Sequence, residues 1–509
     1  MSVSLAWLLD GIASVPANDA QVVDIAIDSR EVRAGYLFFA LRGQRAHGLE
    51  FAAEAAARGA SAVLWEPAPN VEAPVLPKAL FAAPVEDLHK LVGRIADRFF
   101  QWPSSQLCVV GITGTNGKTT CAYLLAQCLE RLGYEAAYVG TIGWGRVGAL
   151  DTSTHTTPDA VSVHRMLAQL KKQGARMIAM EVSSHALDQG RVGGVHFHSA
   201  AFTNLSRDHL DYHASMQAYG EAKERLFATP ELKHAIINIG DDFGRQLALR
   251  LAGRAPSRAP ERTSLRAPLT AVWVGAGGDA WLAQRSLHAE RVALDLRGVS
   301  MEVEGSFGRL QLATRLLGRF NAENALVVLG CLLALGVPLE RAGGALGEST
   351  APPGRMEVVA AADPDKPLAV IDYAHTPDAL AKALAALREH CRGALWCVFG
   401  CGGDRDAGKR PLMGGIVDEL ADRIIVTDDN PRSEDPDTIV RAIIDGIKSH
   451  AARVIHDRGA AIATALGEAA PGDIVLIAGK GHEDYQIYGA TRRSFSDRQE
   501  ACRVLGVAA

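Results

Sequence analysis

The apolar run Leu107-Cys108-Val109-Val110 passes directly into the glycine- and threonine-rich stretch GITGTNGKTT (111–120), and that into the helical pattern CAYLLAQCLERLG. An apolar run without polar alternation needs cover on both faces, and a helix starting one short loop later supplies it on one of them. Such a unit belongs to an α/β fold with a mostly parallel sheet. The pattern repeats: a helix over 118–132, the strand AAYVG, a helix over 159–173, the strand RMIAMEV, then HSAAFTN and HAIINIG flanking a helix over 215–227.

At 509 residues the chain exceeds what one core serves, and two to three domains are expected. Residues 1–103 read as a small α/β domain with strands in VVDIAID, YLFFAL and SAVLW and a helix in FAAEAAARGA. Residues 104–350 form the central domain, in which 253–268 read as a surface loop, followed by two strand-like runs and a helix over 321–335. The segment STAPPGRME (349–357) reads as a linker, and 351–509 alternate again as a Rossmann-like domain.

The net charge of −5 leaves no polyanion footprint, so nucleic acid is not an expected partner. Eight cysteines without C-x-x-C spacing suit a reducing compartment. The N-terminus lacks a basic leader, Asp10 breaks its apolar run, and no stretch is apolar enough to span a bilayer, so a cytoplasmic location is expected.

In GITGTNGKTT the glycines let backbone amides wrap a phosphate, Lys118 neutralises charge and Thr119 can ligate Mg²⁺. The strict G-x-x-x-x-G-K-[ST] pattern is broken at Ile112, with glycines at 111 and 114 instead. Glu181 ends a buried strand where a parallel sheet exposes its carboxyl edge, and it suits a hard cation; a salt bridge or helix cap is the alternative. FTNLSRDHLDYH (202–213) gathers Asn204, Arg207, Asp208, His209 and Asp211 after another strand, and His209 could ligate a metal. In YGEAKERLF, Tyr219, Ala222, Leu226 and Phe227 share a helix face, and Lys223 beside them reads by itself as a solvated lysine. GCGGDR (400–405) has Arg405 where a dinucleotide fingerprint needs its third glycine, so an NAD site is not expected.

These motifs, with DSR (28–30), HTTPD (155–159), MEVSSHAL (180–187), GRFNAENAL (318–326), GRMEVV (354–359), DYAHTPDAL (372–380), DDNPR (428–432) and AGKGHEDYQ (478–486), occur in the order seen in the Mur ligase and folylpolyglutamate synthetase superfamily, which the chain resembles over nearly its whole length. The resemblance implies an ATP-dependent amide-forming ligase of peptidoglycan synthesis. It implies that Gly114, Thr115, Asn116, Gly117, Lys118, Thr119, Thr120, Asn321, Arg355 and Asp372 contact ATP. Thr119, Glu181, His209 and Lys223 would hold Mg²⁺, with Lys223 as N6-carboxylysine, and Lys118, Lys223 and His209 would be the catalytic residues.

It further implies that Ile27, Ser29, Gln44, Arg45 and Ala46 grip the UDP end of UDP-MurNAc-L-Ala-D-Glu, and that His155, Thr156, Thr157, Ser183, Gln189 and Arg191 hold the rest. Arg405, Asp429, Asn430, Pro431, Arg432, Gly479 and Glu483 would take the incoming amino acid. DNPR is the form that accompanies meso-diaminopimelate, whose distal carboxylate a planar guanidinium can bind bidentately. The partners implied are these small molecules, with a monomer expected. The rivals are a lysine-adding ligase, a folylpolyglutamate synthetase and, from another class, a P-loop ATPase switch or transport subunit.

Overall fold

In the computed structural model the apolar runs become short parallel strands whose consecutive side chains enter cores on opposite faces. The structure describes residues 2–508 except 15–19, 44–45, 70, 73–74, 79, 154, 255–269, 276–284, 362, 364 and 450. Two compact units result. The first runs to Trp273 and takes in Gly330–Leu335; the second holds Ser286–Leu329 and everything from Gly336 on.

The first unit opens with a four-stranded parallel sheet in the order Asp24–Ala26, Tyr36–Ala40, Ala62–Trp65, Phe81–Pro84. Leu37, Phe39 and Leu64 face one core, Phe38, Ala40 and Val63 another, as period-two alternation demands. In the main sheet of this unit, Cys108–Thr113 lies between Met177–Glu181 and Phe197–Phe202. Ala136–Gly140 pairs parallel beyond Met177–Glu181, and His234–Asn238 beyond Phe197–Phe202. The first strand in sequence thus has later strands on both sides, the switch point where an open α/β sheet leaves a crevice at its carboxyl edge. Register aligns Glu181 with Ile112 and Phe202 with Thr113, so the chemistry-bearing residues end level with one another. The helix Lys118–Arg131 packs over Ala136–Gly140 and Met177–Glu181.

In the second unit the parallel order is Leu368–Asp372, Ile474–Ala478, Leu395–Phe399, Arg423–Val426, Arg453–Val454, with Glu357–Val359 antiparallel at the edge. Val370, Cys397, Ile424 and Leu476 enter one core; Ile371, Val398, Ile425 and Ile477 enter the other. Both faces are covered, which is why these strands read as continuous apolar runs.

Three expectations need correction. The region after the expected loop holds an antiparallel meander, Arg285–Asp295, Gly298–Gly305 and Gly308–Thr314, rather than two strand-like runs. Its open face carries Arg291, Glu302, Glu304 and Arg309 in cross-strand ion pairs, which dilute the apolar signal. The segment 349–357 is no loose linker: Ser349, Pro352, Gly354 and Met356 are buried. A Cβ on Gly354 would sit 2.1 Å from the amide nitrogen of His482, so the GRME motif interlocks with the AGKGHEDYQ loop by backbone approach that composition does not reveal. Lys223 is not solvated, as described below. The loop expected at 253–268 lies outside the described residues, apart from the end of the helix Asp242–Arg254. All eight cysteines are free, and among the described residues no helix is long and apolar enough to cross a membrane.

Candidate functional site

The loop after Cys108–Thr113 closes because Gly114 adopts φ +152°, and a Cβ there would stand 1.9 Å from Thr203 Oγ1. Neighbouring strand ends hold the loop from the side. Thr115 N donates to Asn204 O at 2.8 Å, Asn116 N to Asn204 Oδ1 at 2.9 Å, and Thr203 Oγ1 to Asn116 O at 2.6 Å. Gly117 then precedes the first helical residue, Lys118, so Thr119 and Thr120 sit in the first turn, where helix amides favour an anion.

Glu181 is wholly buried at the end of its strand. Its carboxylate accepts from Thr119 Oγ1 at 2.8 Å, from Thr141 N at 2.8 Å and from the Tyr138 hydroxyl. A buried carboxylate with this donor set stays inside only because donors replace water. Tyr138 and Thr141 escaped the sequence reading: a tyrosine in AAYVG reads as core, and its hydroxyl's partner depends on strand order.

Lys223, on the helix Met216–Glu224, is only 1% exposed. Its Nζ donates to Gly114 O at 2.7 Å and lies 4.3 Å from the centroid of the Tyr219 ring. Lys118 Nζ donates to the same carbonyl at 3.0 Å. Two amines converge on one neutral oxygen, and burial, reinforced by Lys118, holds the Lys223 amine well below its ordinary value. Tyr219 is pushed up to about 12, chiefly by burial, and its hydroxyl lies 3.2 Å from Thr115 Oγ1.

The residues expected to hold the sugar-peptide substrate meet around Thr157. Its hydroxyl donates to Glu181 O at 3.0 Å and accepts from Ser183 N at 3.1 Å; its carbonyl accepts from Arg191 Nη1 at 3.0 Å. Arg191 also grips Gln189 Oε1, and Thr156 Oγ1 accepts from Thr141 at 3.0 Å. His155 is exposed beside them. His209 is exposed too, has φ +51°, and stacks edge-on against His185 at 4.8 Å. In the N-terminal sheet region Ser29 is buried, with its hydroxyl donating to Glu54 at 2.8 Å; Ile27 and Ala46 are partly buried. Gln44 and Arg45 lie outside the described residues.

In the second unit Asp372 accepts from the amides of Met356 (2.8 Å) and Ala374 (2.9 Å), and burial pushes its carboxyl up against the opposing pull of Arg355. The Arg355 guanidinium lies 5.0 Å over the Tyr373 ring. Asn321 is buried with its amide turned inward, donating to Leu317 O at 2.7 Å and accepting from Asn324 at 2.8 Å.

The DDNPR turn follows Arg423–Val426 at the sheet's carboxyl edge. Asp429 and Asn430 are buried, the Pro431 carbonyl accepts from Glu434 N at 3.1 Å, and Arg432 takes φ +54°, held by its amide on Ile487 O at 3.0 Å. Arg432 Nη1 donates to Gly403 O at 2.7 Å, tying the guanidinium to the GCGGDR loop, from which Arg405 projects exposed. Asn430 Nδ2 donates to Glu483 Oε2 at 3.0 Å, and Gly479 N to Asp372 O at 3.1 Å. Lys480, unassigned from the sequence, is fully buried among these groups. A lysine one glycine beyond a buried five-residue strand was the available signal, since its stem has no room to reach water.

Among the described residues, the groups of three His, Cys, Asp or Glu ligand atoms within 4.8 Å are Glu66–Asp87–His89 and His288–Glu290–Glu304, neither of which includes Glu181 or His209. The Thr119 hydroxyl and Glu181 carboxylate nevertheless offer two hard oxygen donors in contact at the phosphate loop, which fits Mg²⁺.

Comparison with known proteins gives three consecutive matches: "Mur ligase family, catalytic domain" over 21–100, "Mur ligase middle domain" over 112–332 and "Mur ligase, glutamate ligase domain" over 354–481. A protein of Alkalilimnicola ehrlichii named UDP-N-acetylmuramoyl-L-alanyl-D-glutamate--2,6-diaminopimelate ligase is 46% identical over 96% of each chain. One of the same name from Chromobacterium violaceum is 47% identical over 93% of this chain and 92% of its own. A solved structure of a protein with that name aligns with TM-score 0.71 at 35% identity over 99% of both chains. Folylpolyglutamate synthase of Mycobacterium tuberculosis, at TM-score 0.58 and 16% identity over 76% of this chain and 92% of its own, shares the fold. From these matches along its length and the phosphate loop bound to Glu181, the chain belongs to the Mur ligase family.

Proposed function

We propose that the chain attaches meso-2,6-diaminopimelate to the side-chain carboxylate of D-glutamate in UDP-MurNAc-L-Ala-D-Glu, at the expense of ATP, in peptidoglycan precursor synthesis. The observation that carries the choice of amino acid is Arg432. Its backbone is fixed in a left-handed turn and one guanidinium N–H is anchored on Gly403 O, which supports presenting the rest of the fork to a carboxylate. L-lysine would leave that fork unpaired, a loss of about 2 kcal/mol or more. The names of relatives at 46–47% identity agree.

A carboxylate is a poor electrophile, so activation must come first. A carboxylate oxygen attacks the γ-phosphorus and ADP leaves; the amine then attacks the acyl carbon, phosphate departs with that oxygen, and the amine's proton passes to solvent. The loop amides and Lys118 stabilise phosphoryl charge by position and electrostatics, without a protein nucleophile. Thr119 and Glu181 would hold Mg²⁺, which would supply charge neutralisation on the phosphates. The Lys223 amine, held toward its neutral form by burial and by Lys118, would add CO2 on Nζ and release a proton to solvent, and the resulting carbamate and His209 would be ligands of a second ion. Asn321, Arg355 and Asp372 serve ATP; His155, Thr156, Thr157, Ser183, Gln189 and Arg191, with Ile27, Ser29, Gln44, Arg45 and Ala46, serve the UDP substrate; Arg405, Asp429, Asn430, Pro431, Arg432, Gly479 and Glu483 serve the amino acid. In this reading residues 1–103, 104–350 and 351–509 are the respective domains of a cytoplasmic monomer.

The test is phosphate release from ATP with UDP-MurNAc-L-Ala-D-Glu and either meso-diaminopimelate or L-lysine. Turnover with diaminopimelate alone is expected. Preference for lysine overturns the specificity, and turnover needing neither amine favours an ATPase switch.

A further inference from the structure

The second unit contains a buried cation that neither the phosphate chemistry nor the recognition of a distal carboxylate uses. Lys480 follows the strand Ile474–Ala478 by one glycine, and its side chain has no solvent exposure. Its Nζ lies 3.2 Å from Glu483 Oε2, 3.4 Å from Asn430 Oδ1 and 3.6 Å from Asp429 Oδ1. Asn430 closes the figure, donating from Nδ2 to the same Glu483 oxygen at 3.0 Å, while Asn430 Oδ1 also accepts from Ile487 N at 3.0 Å. Lys480 and Asn430 thus both bond the same Glu483 oxygen, Oε2.

Charge arithmetic says what that ligand is. Asp429 and Glu483 contribute two negative charges and Lys480 one positive; Arg458, which also faces Asp429 and Glu483, is matched by Asp497 in a fully buried pair. The cluster is left with one net negative charge, which suits one ammonium group. Without Lys480 the buried Asp429 and the partly buried Glu483 would face each other unscreened, and one would take up a proton rather than bear the repulsion.

We propose that Lys480 is a positioning residue of the acceptor site: it aims Glu483 and favours the charged form of both carboxylates, so that they receive the ammonium of the incoming amino acid that does not react. The inference rests on the proposed function, deepening it from the distal carboxylate read by Arg432 to the ammonium beside that carboxylate.

The experiment measures initial rates of Lys480→Met and the parent with meso-diaminopimelate, ATP and the UDP substrate each varied, at pH 6.5, 7.5 and 8.5, alongside thermal unfolding. Expected is a rise of about 30-fold or more in the KM for diaminopimelate at pH 6.5, shrinking as pH rises and the repelling carboxylates ionise, with the other two KM values within about twofold. A purely structural lysine would move all three KM values and give no such pH trend. In a cycle with Glu483→Gln, the double variant should lose no more than about threefold beyond Glu483→Gln alone, because Lys480 acts through Glu483. Lys480→Gln, which keeps a donor without the charge, carries the same test if Lys480→Met does not fold. An unchanged KM for diaminopimelate, a pH-independent defect or fully additive losses overturn the inference. Failure of the parent itself to use diaminopimelate overturns the proposed function instead.

Discussion

Replacing Lys223 by Met separates two accounts of a buried amine. As an ordinary lysine, its ammonium would be 1% exposed and offered a neutral carbonyl at 2.7 Å and the face of Tyr219, with Lys118 on the same oxygen. A hydrogen bond of that kind contributes about 1 kcal/mol net, whereas burying an ammonium costs several kcal/mol. Removing the amine while keeping the apolar stem should therefore leave the melting temperature unchanged or raise it by a few degrees. Activity should move the other way. If the carboxylated side chain stabilises developing phosphoryl charge, its loss should lower kcat by about 10²- to 10³-fold, some 3–4 kcal/mol of barrier. Phosphate release under saturating substrates measures the first quantity, and scanning calorimetry of the same preparation the second. A short carboxylic acid added to a Lys223→Ala variant should restore part of the rate. Lys223→Met with activity within about threefold of the parent, or a destabilised protein with proportionate loss, would rule out a carboxylated Lys223.

Arg432→Ala should raise the KM for diaminopimelate by about 100-fold, from the loss of a charged bidentate contact, and leave the KM for ATP within twofold; equal losses for diaminopimelate and lysine would count against it. Glu181→Gln keeps an acceptor for Thr119 but not the charge, so the Mg²⁺ concentration needed for half-maximal rate should rise by about tenfold or more, read from a metal titration. Gly114→Ala places a Cβ 1.9 Å from Thr203 Oγ1 and should abolish ATP binding in calorimetric titration while the chain still folds. His456 Nδ1 lies 2.8 Å from Asp428 and Nε2 lies 3.0 Å from Asp437, and the bond to Asp428 raises its value above the ordinary 6.5. The stability it adds is full below the unfolded value and lost as pH rises through the raised folded one. The melting-temperature gap between the parent and His456→Gln should therefore narrow from pH 6 to pH 9, and a gap that widens would contradict the ion pairing.

What could be read from the residues alone was whatever depends on local pattern. The helix expected over 118–132 spans Lys118–Arg131, and the inward face of Tyr219, Ala222, Leu226 and Phe227 is buried as its spacing requires. What escaped depends on which strands lie side by side. Tyr138 and Glu181 are 43 residues apart and meet because Ala136–Gly140 and Met177–Glu181 are neighbours. Lys480 meets Asn430 across 50 residues for a similar reason, a loop from one strand end reaching that of another. Burial of Lys223 likewise follows from the loop packed on its helix, since its own sequence neighbourhood reads as charged surface. The interlocked 349–357 segment was hidden because proline and glycine mark both loose linkers and tight backbone packing.

Joining diaminopimelate to an activated glutamate carboxylate leaves an isotopic trace in both products. The most direct measurement supplies UDP-MurNAc-L-Ala-D-Glu with heavy oxygen in that carboxylate, together with ATP and equal amounts of meso-diaminopimelate and L-lysine, and reads both products by mass spectrometry. A diaminopimelate amide and heavy oxygen in the released phosphate are expected. A lysine product, or phosphate carrying no label, would contradict the proposed reaction.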